Sequence, residues 1–147
     1  MSEFRQIEIL LVEDSPGDAE MTLRSLRKHN LVNRVHWVKD GAEALDFMFR
    51  QGAYAQRDPN HALKLVLLDI KMPKVDGIEV LRRLKADEAT RLTPVVIMTS
   101  SNEERDVFES YKLGVNSYIV KPVQFVSFLE TVSKIGLYWL LANRVPE

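Results

Sequence analysis

The sequence predicts a single α/β domain: a doubly wound parallel sheet of five strands with helices on both faces. Three observations carry that prediction. Five short apolar, β-branched runs recur along the 147 residues. Longer segments with helical spacing separate them. Capping residues stand where strand runs give way to helical ones. Near-continuous apolar strands need burial on both faces, which a parallel sheet flanked by helices supplies. Regular alternation of the two segment types builds βαβ units.

The first run is Ile7-Glu8-Ile9-Leu10-Leu11-Val12, followed by a helix carrying Ala19, Leu23 and Leu26. Val35-His36-Trp37-Val38 is the second strand, and Ala44, Leu45 and Met48 mark its helix. Leu65-Val66-Leu67-Leu68 precedes the helix of Val80, Leu81 and Leu84. Val95-Val96-Ile97-Met98 precedes that of Val107, Phe108 and Tyr111. Tyr118-Ile119-Val120 leads into Phe125, Phe128, Leu129, Val132, Ile135 and Trp139. Ser15 with Asp18, Asp40 with Glu43, Asp76 with Glu79 and Ser101 with Glu104 have capping-box spacing. Gly114 stands where a left-handed residue stops a helix. Residues 51–64, including Arg57-Asp58-Pro59-Asn60-His61, make a long polar connection where about 2–6 residues are usual.

Charge nearly cancels, 20 Lys and Arg against 21 Asp and Glu, which argues against binding nucleic acid through a strongly basic surface. The absence of cysteine excludes a disulfide framework, a thiolate zinc site and a cysteine nucleophile. Residues 1–6 are polar, unlike a signal peptide, and no apolar run reaches membrane-spanning length. The expectation is a cytoplasmic protein with no nucleic-acid or membrane partner. Residues 1–147 form one domain, with a C-terminal helix and tail over about 124–147, on the size arithmetic of single cores.

In an open α/β sheet, function collects outside the carboxyl ends of the strands. Glu13 and Asp14 follow the first strand, Asp69 the third, Thr99-Ser100-Ser101 the fourth and Lys121-Pro122 the fifth. Parallel strands bring these positions to one edge. Three carboxylates there repel one another, and a divalent cation relieves the repulsion. Oxygen-only ligands suit Mg2+, which also accepts a phosphate oxygen. Lys121 can neutralise another phosphate oxygen and Thr99 can donate to a third. Asp69 can then attack phosphorus to give an aspartyl phosphate.

Each residue alone has a plainer explanation. Glu13 and Asp14 can favour a helix N-terminus, and Asp69 can be a turn residue. Thr99 and Tyr118 suit strands, and Lys121 can be a solvated lysine. Their joint placement at four strand ends favours the site. His29, His36 and His61 lie away from that edge and read as surface or edge residues.

Glu13-Asp14, Leu67-Leu68-Asp69-Ile70-Lys71-Met72-Pro73, Asp76-Gly77, Thr99-Ser100 and Tyr118-Ile119-Val120-Lys121-Pro122 resemble the receiver domain of bacterial response regulators, over roughly residues 7–135. The long connection, Ser100-Ser101-Asn102-Glu103-Glu104 and the aromatic tail further resemble the stand-alone regulators that serve bacterial and cyanobacterial phytochromes. The resemblance implies a flavodoxin-like fold of strand order 2-1-3-4-5 with five helices. It implies a stand-alone response regulator that catalyses only its own phosphotransfer and slow autodephosphorylation. Asp69 would accept phosphate from a sensor histidine kinase, a bacterial phytochrome among the candidates, or from a phosphotransfer protein. Glu13, Asp14, Asp69 and the backbone carbonyl of Lys71 would hold Mg2+. Thr99 would swing toward the phosphoryl group, Lys121 would bind it and Tyr118 would be the aromatic switch. A cis bond between Lys121 and Pro122 is implied as well. Glu13 replaces the commoner Asp, and Lys71 occupies a variable position that helps set phosphate lifetime.

Other functions fit less well. A flavodoxin needs a phosphate loop after the first strand, where this chain is acidic. No GxGxxG or P-loop motif occurs. A haloacid-dehalogenase-type phosphohydrolase would want a second Asp two residues after the nucleophile, where Lys71 stands. A degenerate receiver acting as a scaffold would not need the full pocket. The signal would leave through contacts with a downstream protein. Leu137, Tyr138, Trp139, Leu140 and Leu141 cover several faces of the last helix. They either pair two copies into a homodimer or fold back over the first strand.

Overall fold

The computed structural model describes residues 9–27, 35–57, 63, 65–70, 72, 75–99 and 112–134. The strands are β1 (Ile9–Val12), β2 (Val35–Val38), β3 (Leu65–Asp69), β4 (Val95–Thr99) and β5 (Ser117–Val120). The helices among the described residues are α1 (Pro16–Arg27), α2 (Gly41–Met48), α3 (Gly77–Ala86) and α4 (Phe125–Lys134), with a short 3-10 turn at Gly52–Tyr54. All five strands are parallel, in the order β2-β1-β3-β4-β5. The expected sheet is therefore the observed one. The helix expected on Val107, Phe108 and Tyr111 lies outside the described residues. So do Ile7, Glu8, Lys71 and the tail residues Leu137, Tyr138, Trp139, Leu140 and Leu141.

Burial follows strand position. Every residue of β1, β3 and β4 is buried, whereas β2 and β5, at the two edges, are partly exposed. Successive side chains of a strand point to opposite faces, and the core divides accordingly. Leu10, Val12, Val66, Leu68 and Ile97 pack with α2 and α3. Ile9, Leu11, Leu65, Leu67, Val96 and Met98 pack with α1 and α4. Each large apolar side chain so buried contributes about 1.5–3 kcal/mol. The strand ends are thereby fixed as a rigid rim.

The helix starts form as their capping residues require. Ser15 Oγ accepts from the Asp18 N–H at 3.2 Å, Asp40 from Glu43 at 2.8 Å and Asp76 from Glu79 at 3.0 Å. The reciprocal arm of the capping box goes elsewhere at α2, where Glu43 Oε1 takes the N–H of Lys39 at 3.0 Å. Gly77 brings the start of α3 against β3. Its N–H donates to Ile70 O at 2.8 Å, and a Cβ there would collide with the carbonyl of Asp69. Gly114 has φ +86, the left-handed stop the sequence predicts.

One reading changes. The spacing puts Leu129 with Phe125, Phe128 and Val132 on the apolar stripe that covers the sheet, but α4 buries Phe128, Thr131 and Val132 and leaves Leu129 39% exposed. The helix meets the sheet along the 128, 131, 132 row, and Leu129 lies one position around from it. In the described part of the polar connection, residues 51–57, a 3-10 turn follows α2. Arg57 is buried, donating from Nε to Phe47 O at 2.9 Å and from a guanidinium nitrogen to Met48 O at 3.4 Å. It closes the end of α2, where carbonyls lack helical partners.

Candidate functional site

The site is assembled where four strands end. Val12 closes β1, and the Glu13 N–H still pairs with Val38 O of β2 at 3.1 Å. The indole N–H of Trp37 donates to Glu13 O at 2.8 Å. Glu13 is thus held from β2 on both its main-chain polar groups, and its side chain is fully buried. Glu13 Oε2 accepts the N–H of Ser15 at 3.2 Å, which tucks the carboxylate under the start of α1. Asp14 is exposed beside it.

Asp69 is the last residue of β3 and only 4% exposed. The next N–H, of Ile70, pairs with Met98 O at 3.2 Å and keeps the strand end in the sheet. Thr99 ends β4 and is buried, and its carbonyl accepts the Lys121 N–H at 2.8 Å. Lys121 follows β5, and its bond to Pro122 is cis.

Lys121 gathers the acids. Its Nζ stands 3.0 Å from Glu13 Oε1, 3.0 Å from Asp18 Oδ2 and 3.4 Å from Asp69 Oδ2. Carboxylate oxygens of Glu13, Asp14 and Asp69 lie within 4.8 Å of one another. One ammonium therefore faces three carboxylates, with Asp14 beside two of them. Burial, then the charge of Glu13 and a hydrogen bond to it, push the Asp69 carboxyl up to about 7, and the opposing pull of Lys121 does not cancel them. Burial alone would lower the Lys121 ammonium, but the bonds to Asp18 and Glu13 and the charges of Asp69 and Glu13 raise it instead. A crowded oxygen-only cluster with one face open at Asp14 fits a hard divalent cation.

The structure thus brings together Glu13, Asp14, Asp69, Thr99 and Lys121 at one rim. Tyr118 lies on β5 opposite Ile97, 40% exposed, and Thr99 is paired with Val120 two residues on. His36 sits at the edge as expected: its Nε2 is 3.1 Å from Tyr54 Oη and its ring stacks on Phe47 at 5.0 Å. His29, His61 and Lys71 lie outside the described residues.

Sequence reasoning missed Asp18 and Trp37. Asp18 stands four residues after Asp14, one helical turn into α1, a spacing that was available. Its role as capping partner of Ser15 absorbed it. Trp37 carried no signal, since an indole on an edge strand is ordinary.

A model of the response regulator receiver domain matches residues 9–133. This chain belongs to that family. A probable methanogenesis regulatory protein, FilR2, of Methanothrix harundinacea is 39% identical, over 94% of this chain and 86% of that protein. The response regulator Rcp1 of Synechocystis is 36% identical, over 94% of this chain and 92% of its own length. The Mn(2+)-bound form of Rcp1 superposes with a TM-score of 0.73, covering 95% of this chain and 98% of that one at 34% identity. The bacteriophytochrome response regulator AtBRR superposes with a TM-score of 0.81 at 49% identity, covering 89% and 93%. As a receiver, the chain has a sensor kinase or phosphotransfer protein as partner. Among the described residues no helix is long and apolar enough to cross a membrane.

Proposed function

We propose that this receiver accepts a phosphoryl group on Asp69 in a Mg2+-dependent reaction and signals by protein contacts. The observation that carries the reading is the buried Asp69 carboxylate, 3.4 Å from the Lys121 ammonium and clustered with Glu13 and Asp14. Glu13, Asp14, Asp69 and the main-chain carbonyl of Lys71 would hold the metal. When bound, Mg2+ supplies positive charge for the acids and for a phosphoryl oxygen.

The chain's own residues do the rest. An oxygen of Asp69 attacks phosphorus, the P–N bond to a donor imidazole breaks, and the imidazole leaves with the electron pair. Little covalent assistance is needed, because positioning and charge neutralisation dominate such transfers. Lys121 takes one phosphoryl oxygen and the Thr99 hydroxyl another, and Tyr118 reports their state toward the outer face of β5. No further reaction is assigned: the chain acts on its own acyl phosphate only.

The donor is read as a sensor histidine kinase of the phytochrome class, supported by the likeness to AtBRR at 49% identity. The chain is read as one cytoplasmic receiver domain over 1–147. Its tail residues Leu137, Tyr138, Trp139 and Leu140 would pair two copies, which sedimentation of the whole chain checks as dimer or monomer. The test of the main reading is incubation with acetyl phosphate and Mg2+, followed by intact mass. One added phosphoryl group, absent when the metal is chelated before the donor is added, supports it; no addition, or addition without metal, overturns it.

A further inference from the structure

We propose that Asp18 is a positioning residue for Lys121, holding the ammonium on the α1 side of the pocket and competing for it with the phosphoryl group. The inference rests on Asp69 being the phosphoryl acceptor. Asp18 is the third residue of α1, and its N–H is capped by Ser15 Oγ at 3.2 Å. In a capping box its carboxylate would return to the Ser15 N–H. That N–H goes to Glu13 Oε2 instead, and Asp18 Oδ2 reaches Lys121 at 3.0 Å. The side chain has left the cap for the pocket.

An ammonium has three donors, and Glu13, Asp18 and Asp69 all lie within reach of Lys121. Phosphorylation turns the Asp69 carboxylate into a neutral acyl group, so its phosphoryl oxygens compete for the ammonium with the two carboxylates that remain, Glu13 and Asp18. Glu13 is fully buried, so losing its cation would leave a carboxylate that water cannot reach. The Asp18 side chain is 43% exposed, against 9% for Lys121, and water can replace the cation there. Asp18 is thus the partner that releases Lys121. Its charge opposes the phosphorylated state by stabilising the resting position.

The test is binding of beryllofluoride, a phosphoryl mimic, in the presence of Mg2+. Asp18→Asn keeps the size and removes the charge, so the mimic should bind about two- to fivefold tighter, the scale of an ion pair with one exposed member. The gain should shrink at high ionic strength. Glu20→Gln, on the same helix and paired with Arg24 at 3.7 Å, controls for net charge and should change nothing. Asp18→Ser serves as a second variant, with thermal unfolding confirming that each is folded. Equal or weaker binding by both Asp18 variants overturns the proposal, as does an equal gain in Glu20→Gln. Failure of the unaltered protein to bind the mimic overturns the acceptor reading, and this inference with it.

Discussion

Trp37 and Glu13 are joined across two strands by a 2.8 Å hydrogen bond from the indole N–H to the main-chain carbonyl. The acidic residues after β1 are therefore set by β2 as well as by their own strand. Trp37→Phe keeps an aromatic ring and deletes the donor, leaving a buried carbonyl without it. A neutral hydrogen bond of this kind is worth about 0.5–1.5 kcal/mol, so Mg2+ affinity should fall roughly two- to tenfold. Calorimetric titration with the metal reads it. The chain has two tryptophans, so in a Trp139→Phe background the emission of Trp37 should also respond to metal.

Asp69 links the pocket to pH. Its carboxyl is pushed up to about 7 from an ordinary 3.8, burial first and Glu13 second. Between those values the folded protein binds the proton that the unfolded chain has released. In metal-free buffer, the stability contributed by this group is complete below about pH 4 and is lost as pH rises through about 7. The loss should be on the order of 4 kcal/mol, and absent in Asp69→Asn. Glu13→Gln should move the transition to lower pH. Denaturant melts between pH 4 and 8 measure both effects; a wild-type slope unchanged in Asp69→Asn would refute the assignment.

Arg57 should matter to stability and not to the site. Its guanidinium lies 4.6 Å from the centre of the Phe47 ring and donates to two carbonyls that end α2. Arg57→Ala should destabilise the fold by about 2–3 kcal/mol, the scale of stranding buried acceptors, while Mg2+ affinity stays within twofold or so. Urea unfolding alongside metal titration separates the two.

These contrasts show what was legible in the chain. Glu13, Asp14, Asp69, Thr99 and Lys121 could be read because parallel strands align their ends, so a local pattern fixes a distant meeting point. Asp18 could not, because one spacing serves both a cap and an ion pair, and only the third dimension shows which is made. Arg57 was hidden for a related reason. A polar loop residue acquires its role from the carbonyls it lands on, and those lie nine and ten residues back along the chain. Leu129 fell on the wrong side because a stripe read from spacing alone is uncertain by about one position around the helix.

The central claim is that Asp69 carries the phosphoryl group. Treatment with acetyl phosphate and Mg2+, then reductive trapping of the acyl phosphate and peptide mass analysis, tests it most directly. A single trapped site at Asp69 is expected, absent in Asp69→Asn and absent when metal is withheld. A trapped acyl phosphate at Glu13, Asp14 or Asp18, or undiminished labelling of Asp69→Asn, would contradict it.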